Sequence, residues 1–183
     1  MRPESEGREA TIEDLWHEPG KAELVNGRIV RMPPASGLHA YVAGKIRASL
    51  TEYERRTGSG HAIGDCAAFV VNLPHRKSFC PDVAYQVGPL TMDFVQGAPV
   101  FAVEVRSKSN YGPASERALA AKRADYFAAG TRVVWDVDLL GKDVVRVYRT
   151  DDPGRPRIYR RGERAEAEPA LPGWAMPVDD LFP

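Results

Sequence analysis

The run Val100-Phe101-Ala102-Val103-Glu104-Val105-Arg106-Ser107 predicts a buried β-strand that carries one carboxylate in its apolar stretch. Side chains alternate between the two faces of a strand. Phe101, Val103 and Val105 therefore share an apolar face, and Glu104 lies on the other. A buried carboxylate costs several kcal/mol unless a cation or hydrogen-bond donors compensate for it. The sequence therefore predicts that Glu104 meets a cation.

A second acid, Asp82, opens the strand-like run that comes before this one along the chain. A metal ion shared by Asp82 and Glu104 would offset the buried charge. Mg²⁺ prefers oxygen ligands, keeps several waters and often uses only one or two carboxylates, and the backbone carbonyl of Val105 is a further donor. The alternatives are a turn aspartate for Asp82 and a plain salt bridge from Glu104 to Arg106 or Lys122.

An amine is the third component of this candidate site. A helix is predicted over 115–129, capped by Ser115. Lys122 lies on the same stripe of that helix as Leu119 and Tyr126, because residues three and four apart are neighbours on a helix surface. A lysine beside a metal-bound water can orient the water, accept its proton or stabilise a charged transition state. The alternative is a surface lysine that extends its charged end into solvent.

The remaining patterns predict one domain of mixed α/β (α+β) class, with a mixed central β-sheet flanked by helices. Asn26-Gly27 is typical of a tight hairpin turn. Apolar residues at helical spacing predict an amphipathic helix. The predicted elements are a short helix from Thr11, a hairpin over 23–30, a helix over 38–56, strands over 66–73, 82–87, 100–107, 132–138 and 143–149, a short strand near 157–160, and an apolar tail over 171–183 that docks on the body.

Composition limits the classes of partner and compartment. The formal net charge is +0, so DNA binding requires basic residues concentrated on one face. The basic run from Arg155 to Arg164 is interpreted first as a solvated, charge-balanced face and second as a phosphate contact. No apolar run approaches the ~20 residues of a membrane helix. Residues 1–10 are expected to be a disordered lead without a signal peptide's apolar centre. We therefore expect a cytoplasmic protein without a membrane partner, in which Cys66 and Cys80 are reduced and act as small apolar fillers.

In combination and in this order, these segments resemble the PD-(D/E)XK nuclease superfamily, and more specifically its bacterial restriction endonuclease family. The central match is Pro81-Asp82-Val83 followed by Val103-Glu104-Val105-Arg106-Ser107. The resemblance runs from about Thr11 to the last residue. The other matching segments are 23–27, Pro33-Pro34 with His39 downstream, Lys122 with Tyr126 and Ala129-Gly130, 134–137, 172–174 and 178–182.

The resemblance implies a restriction-endonuclease-like core, a mixed central sheet with a helix on either side. It also implies hydrolysis of DNA phosphodiester bonds that depends on Mg²⁺, for which Mn²⁺ substitutes, with Asp82 and Glu104 as metal ligands. One position departs from the superfamily pattern, since Arg106 stands where a lysine is usual. Arginine stays protonated and cannot act as a base. The resembled branch takes its lysine from the following helix, which indicates Lys122, with Lys108 as the competitor.

Three further residues complete the candidate site. Arg106 is expected to neutralise charge that develops on the phosphate. Glu23 is a candidate third acid, acting on the metal directly or through water, and its alternative is an edge-strand charge. His39 shares a helix stripe with Val42 and Ile46 and is expected to face the cleft. Its alternative is a hydrogen-bonded, partly buried histidine.

Two other functions remain open from the residues alone. The first is a nuclease fold kept as a catalytically inactive DNA-binding or interaction module, which the missing lysine after Glu104 and the zero net charge favour. The second is a homodimeric scaffold without a nucleic-acid role. A homodimer is expected under every hypothesis, since two-fold dimers are the commonest soluble oligomers.

Overall fold

A computed structural model describes residues 8–183. Residues 1–7 of the expected disordered lead lie outside the described residues. Residues 8–10, the last three of that lead, are described and contact the rest of the chain. The guanidinium of Arg8 lies 2.9 Å from a carboxylate oxygen of Asp14, and the backbone N–H of Ala10 donates to Gly27 O at 2.7 Å.

The elements follow the order that the sequence predicted, with more short strands. In chain order they are α1 (Ile12–Trp16), β1 (Ala22–Val25), β2 (Arg28–Arg31), α2 (Gly37–Thr57), β3 (His61–Ile63), β4 (Phe69–Val70), β5 (Ser78–Phe79), β6 (Val83–Gln86), β7 (Val95–Gln96), β8 (Phe101–Val105), α3 (Pro113–Ala129), β9 (Val133–Val137), β10 (Val145–Arg149), β11 (Asp152–Tyr159), β12 (Arg164–Glu166), β13 (Ala175–Pro177) and a final 3-10 turn, Val178–Leu181.

A six-stranded mixed sheet forms the centre, in the order β11-β10-β9-β8-β6-β3. β8 and β9 run parallel, as strands joined by a crossover helix do. The other neighbouring pairs are antiparallel. The crossover helix is α3. The fold class expected from the sequence, a mixed sheet flanked by helices, is confirmed.

The two faces of this sheet bury different helices. Val83, Val103 and Trp135 pack in one cluster with the apolar stripe of α2. The C-terminal segment covers the rest of that face, where the rings of Trp135 and Trp174 lie 5.0 Å apart. The prediction that this segment docks on the body is therefore confirmed. On the opposite face, Ala84, Ala102 and Val134 pack with Tyr126 of α3.

Local sequence signals predicted some helix ends correctly and one helix start wrongly. Thr11 caps α1 in a reciprocal pair with Asp14, and Gly130 ends α3 in a left-handed conformation. The predicted cap of α3 was wrong. The helix begins earlier, after Gly112, because Pro113 suits a first turn, where its missing N–H is not needed. The hydroxyl of Ser115 donates instead to the backbone oxygen of Ser109 at 3.0 Å.

The N-terminal hairpin packs beside β5 of the small sheet β5-β4-β7. Asn26 and Gly27 have φ angles of 50° and 67°, as the predicted turn requires. Leu24 N–H donates to Ser78 Oγ at 2.8 Å, and Lys77 N–H donates to Leu24 O at 2.9 Å. These hydrogen bonds join β1 to Lys77 and Ser78. They therefore position Glu23, the buried acid of β1.

Two further expectations changed. The strand predicted over 66–73 is only the two-residue β4. Cys66 and Cys80 are joined as a disulfide, with their Cα atoms 4.6 Å apart, so the expectation of two separate reduced thiols was wrong. A sequence separation of 14 carried no signal of this pairing. Within residues 8–183, no helix has the length and apolarity needed to cross a membrane.

Candidate active site

Asp82 and Glu104 lie opposite each other on neighbouring strands. Val83 pairs with Val103 in the antiparallel register of β6 and β8, so the next position places Asp82 across from Glu104. Directly opposed residues project from the same face of a sheet. Asp82 N–H donates to Val103 O at 3.1 Å, and Asp82 Oδ2 accepts the N–H of Val105 at 2.8 Å. The two carboxylates therefore lie on one face of the sheet, as the shared metal ion expected from the sequence requires.

The amine of Lys122 joins this pair from α3. Its Nζ lies 2.9 Å from Glu104 Oε1 and 2.8 Å from Glu23 Oε1. The hydroxyl of Tyr126, one helical turn later, donates to the same Glu104 oxygen at 2.6 Å. Lys108, the competing lysine, is exposed in the loop that follows β8. The structure therefore brings Lys122 and Glu23 to Glu104.

Burial and charge act against each other on these groups. Burial, with the charges of Asp82 and Glu23, raises the pKa of Glu104 to about 7, although Lys122 opposes the shift. Burial alone would lower the pKa of Lys122, but the carboxylates of Glu104 and Glu23 outweigh it and raise that pKa. Burial alone would raise the pKa of Glu23, but the positive charges of Lys122 and Arg76 outweigh burial and lower this pKa. Lys122 is therefore an ammonium group at neutral pH in this arrangement.

His39 reaches Asp82 from the first turn of α2. Its Nε2 lies 3.1 Å from Asp82 Oδ2. The hydrogen bond to Asp82 raises the pKa of His39, while burial opposes the shift. The other ring nitrogen, Nδ1, is buried and finds no hydrogen-bond partner among residues 8–183. His39 therefore faces the cleft, as its helix position predicted.

Arg106 is buried between two acids. It binds Asp136 through two hydrogen bonds of 2.7 Å each and also binds Glu116 of α3. These acids raise its pKa. Asp136, whose partner the sequence did not indicate, is also 3.5 Å from Arg123. Since its donors are directed to these acids, Arg106 attaches the loop after β8 to α3, and we propose this positioning role in place of the expected charge neutralisation.

Sequence reasoning missed a second group of residues behind the site. Arg76 donates to Glu23 Oε2 at 2.6 Å and to Asp125 Oδ2 at 2.8 Å. Cys80 N–H donates to Glu23 Oε1 at 2.9 Å. Arg76 lies in a short polar stretch between strands, so no periodicity marked it. The sequence did not indicate a role for the hydroxyl of Tyr126, because the ring of Tyr126 fits an apolar helix stripe.

His39, Asp82, Glu104 and Lys122 line one cleft of about 330 Å³. It is bounded by the end of β2, the start of α2, the start of β6, the end of β8, and α3. About 20 % of the Glu104 side chain and 17 % of the Asp82 side chain remain exposed to it. The lining residues that carry chemistry are Lys21, His39, Asp82, Glu104, Arg106 and Lys122.

The donor set of the cleft fits Mg²⁺. Asp82 and Glu104 supply carboxylate oxygens from one face, and the carbonyl of Val105 is adjacent. Residues 8–183 contain no group of three or more His, Cys, Asp or Glu side chains able to hold a metal ion by themselves. A cation here would therefore take two carboxylates, a carbonyl and water, which is the sparse coordination by protein that Mg²⁺ commonly shows.

Comparison with known proteins identifies relatives of this fold. The family model Uma2, described as "Putative restriction endonuclease", matches residues 10–179. A solved structure described as "a putative nuclease belonging to DUF820", from Anabaena variabilis ATCC 29413, superposes with a TM-score of 0.73. It is 16 % identical in sequence, over 94 % of this chain and 97 % of that chain, and this likeness shows the fold. No curated protein matches the chain.

Proposed function

Because the chain belongs to the Uma2 family, whose description is "Putative restriction endonuclease", we propose that it is a nuclease that hydrolyses DNA phosphodiester bonds with Mg²⁺. The observation that carries the proposal is the opposition of Asp82 and Glu104 on neighbouring strands, with the Lys122 amine 2.9 Å from Glu104. Two carboxylates can hold the metal ion of a metal-assisted phosphate hydrolysis, and an amine can stabilise the charge that develops on the phosphate.

Asp82, Glu104 and the carbonyl of Val105 are the proposed metal ligands. When bound, Mg²⁺ supplies charge that polarises the phosphate and lowers the pKa of a bound water. Mn²⁺ is expected to substitute, since carboxylate, carbonyl and water ligands suit it equally. The bond from Val105 N–H to Asp82 Oδ2 fixes one carboxylate oxygen and leaves the other for the cation.

Lys122 is the proposed catalytic amine. Its ammonium group has three N–H donors, and two of them are directed to Glu23 and Glu104. The third can donate to a phosphate oxygen or orient the attacking water. Because the two acids hold it charged, Lys122 stabilises negative charge on the phosphate in the transition state. It therefore fills the place of the lysine that Arg106 displaces from the usual pattern.

Glu23 and His39 have supporting roles in this proposal. Both oxygens of Glu23 are engaged, by Lys122, Cys80 and Arg76, so Glu23 acts through Lys122. His39 holds one oxygen of Asp82 through Nε2 at 3.1 Å, so it orients this carboxylate in the cleft.

DNA is the proposed partner, and contact is expected through the cleft rather than the C-terminal basic run. Arg160 lies 2.8 Å from Asp143, and Arg161 binds Asp179. These pairs support the interpretation of that run as a charge-balanced face. A homodimer, with two sites that could cut both strands, stays a prediction that sedimentation velocity can test.

A catalytically inactive DNA-binding module is the second candidate. The observation that favours it is Arg106, which occupies the usual lysine position and is committed to Asp136 and Glu116. The position of Lys122 favours the enzyme instead, because it brings an amine to Glu104 from α3.

Cleavage of supercoiled plasmid in Mg²⁺ tests the proposal. We expect Asp82→Asn and Glu104→Gln to abolish nicking, with no change in the far-ultraviolet circular dichroism spectrum. Asp151→Asn is the matched control, because Asp151 lies in an exposed turn at the opposite end of the sheet. Binding of DNA without cleavage by the wild-type protein would favour the inactive module. Equal cleavage by wild type and both acidic variants would remove these acids from the mechanism.

A further inference from the structure

Arg76 is a buried arginine that touches the site only through another residue. Its side chain is 8 % exposed, and its two acidic partners are Glu23 and Asp125. Asp125 is in turn 2.8 Å from His75. The planar guanidinium fits this arrangement because its Nε and Nη1 donors diverge to separate acids. Arg76 therefore fixes the orientation of the Glu23 carboxylate.

A stack of side chains connects Arg76 to Tyr126. The guanidinium carbon of Arg76 lies 4.9 Å from the ring centre of Phe79. The rings of Phe79 and Tyr126 are 4.0 Å apart and nearly parallel, at 13°. Tyr126 then donates its hydroxyl to Glu104. One end of the stack therefore holds Glu23, and the other holds Glu104.

Lys122 closes this arrangement into a ring of contacts. Its amine lies between the carboxylates of Glu23 and Glu104, at 2.8 and 2.9 Å. We name this closed set the positioning ring, and its members are Glu23, Arg76, Phe79, Glu104, Lys122 and Tyr126. In the proposed mechanism, Lys122 is the member of the positioning ring whose amine interacts with the phosphate.

We propose that Arg76 and Tyr126 are positioning residues of the nuclease reaction, which place the Lys122 amine by orienting the two carboxylates that hold it. This inference rests on the proposed function. Both carboxylates belong to flexible glutamate side chains, so the position of the amine depends on what fixes each oxygen. A displacement of about 1 Å in a reacting group can cost a hundredfold in rate.

Removal of Arg76 is expected to lower both the folding stability and the cleavage rate. Loss of one partner of a buried ion pair is costly because the other charges, here Glu23 and Asp125, are left buried without a cation, so rates are compared under conditions in which each variant is folded. Partners that orient a functional group typically change activity by about 10–100-fold when removed. The rate of bond cleavage is therefore the quantity to measure.

Single-turnover cleavage of a labelled DNA duplex tests the inference. We expect Arg76→Met and Tyr126→Phe each to lower the cleavage rate constant at saturating Mg²⁺ by at least about tenfold, while DNA affinity stays within about twofold. Tyr126→Phe keeps the stacked ring and removes only the hydroxyl, so it remains informative even if Arg76→Met does not fold. The matched controls are Arg149→Met and Tyr159→Phe. Both side chains bind Glu166, which is outside the candidate site.

A double-mutant cycle separates positioning from general structure. In a Lys122→Met background, the amine is gone, so Arg76→Met should lower the remaining rate by less than about twofold. Losses that multiply in full would show that Arg76 does not act through Lys122 and would overturn the inference. Rates for Arg76→Met and Tyr126→Phe that match wild type would overturn it as well.

Nuclear magnetic resonance of ¹⁵N-lysine gives a readout that does not need activity. A buried, doubly hydrogen-bonded ammonium exchanges its protons slowly, so Lys122 should give a resolved side-chain signal in wild type. We expect that signal to broaden or vanish in Arg76→Met and Tyr126→Phe and to persist in both controls. A wild-type protein without cleavage activity would contradict the proposed function. The Lys122 signal would still test the positioning of the amine, because a signal that persists in both Arg76→Met and Tyr126→Phe contradicts the inference.

Discussion

The amine of Lys122 lies 2.8 Å from a carboxylate oxygen of Glu23, although Lys122 belongs to α3 and Glu23 to the N-terminal hairpin. This pair joins the hairpin to the crossover helix behind the cleft. It also gives Lys122 a second acid in addition to Glu104, which raises the pKa of the amine. A lysine in this position is therefore a fixed cation, and its protonation state depends on two distant segments of the chain.

Removal of the Lys122 amine should slow catalysis more than it weakens binding. We expect Lys122→Met to lower the single-turnover rate by about a hundredfold or more, because general acid–base or electrostatic groups contribute on that scale. DNA affinity should change by less than about threefold, since one buried ammonium contacts few phosphates. The control is Lys142→Met, which alters a lysine in an exposed turn, and equal losses in the two variants would contradict the assigned role.

Metal affinity should depend on pH through Glu104. Burial raises the pKa of this acid to about 7, so below pH 7 a cation must displace its proton. We expect the Mn²⁺ association constant, measured by calorimetry, to rise with pH up to about 7 and then level off. The effect on folding has the matching sign. Because the pKa of Glu104 is raised in the folded protein, protonation of Glu104 stabilises the folded, metal-free form as the pH falls from about 7 toward 4.5, the ordinary pKa of this group. Glu104→Gln should remove this dependence, and an unchanged slope in that variant would exclude Glu104 as its source.

Removal of one member of the Arg106–Asp136 pair should lower the free energy of unfolding more than replacement of both members by apolar residues. Both side chains are almost fully buried, at 4 % and 3 % exposure. We expect Asp136→Leu alone to lower the free energy of unfolding by about 3–5 kcal/mol, because it leaves Arg106 without its main partner. The double variant Arg106→Met with Asp136→Leu should recover part of that loss, measured by urea denaturation. A double variant no more stable than Asp136→Leu would argue against an unpaired buried charge as the cause.

The docked C-terminal segment should contribute to the main core. Trp174 packs on Trp135 and Phe101, and its indole N–H donates to Ser49 at 3.1 Å. We expect Trp174→Ala to cost about 3–5 kcal/mol of unfolding free energy. Leu140→Ala is the control at a site that is 72 % exposed and should change stability by no more than about 0.5 kcal/mol. A similar small change for Trp174→Ala would show that the segment adds little to the core.

The acids of the candidate site were visible in the sequence because they break a local rule. Glu104 interrupts an apolar strand, and alternation along β6 and β8 placed it on the same side as Asp82. The register confirms that placement. Arg76 broke no such rule. Its stretch has neither helical nor strand periodicity, so its contacts with Glu23 and Asp125 could not be inferred from neighbouring residues.

The sequence by itself determined the order of the main helices and strands, the hairpin at Asn26-Gly27 and the shared face of Asp82 and Glu104, because periodicity and turn chemistry are short-range properties. Only the tertiary structure decided that Glu23 and Arg76 stand behind Lys122 and that Arg106 turns to Asp136. Those contacts join segments far apart in the chain. Their distances depend on how hairpin, sheet and helix pack together, and no local pattern specifies that packing.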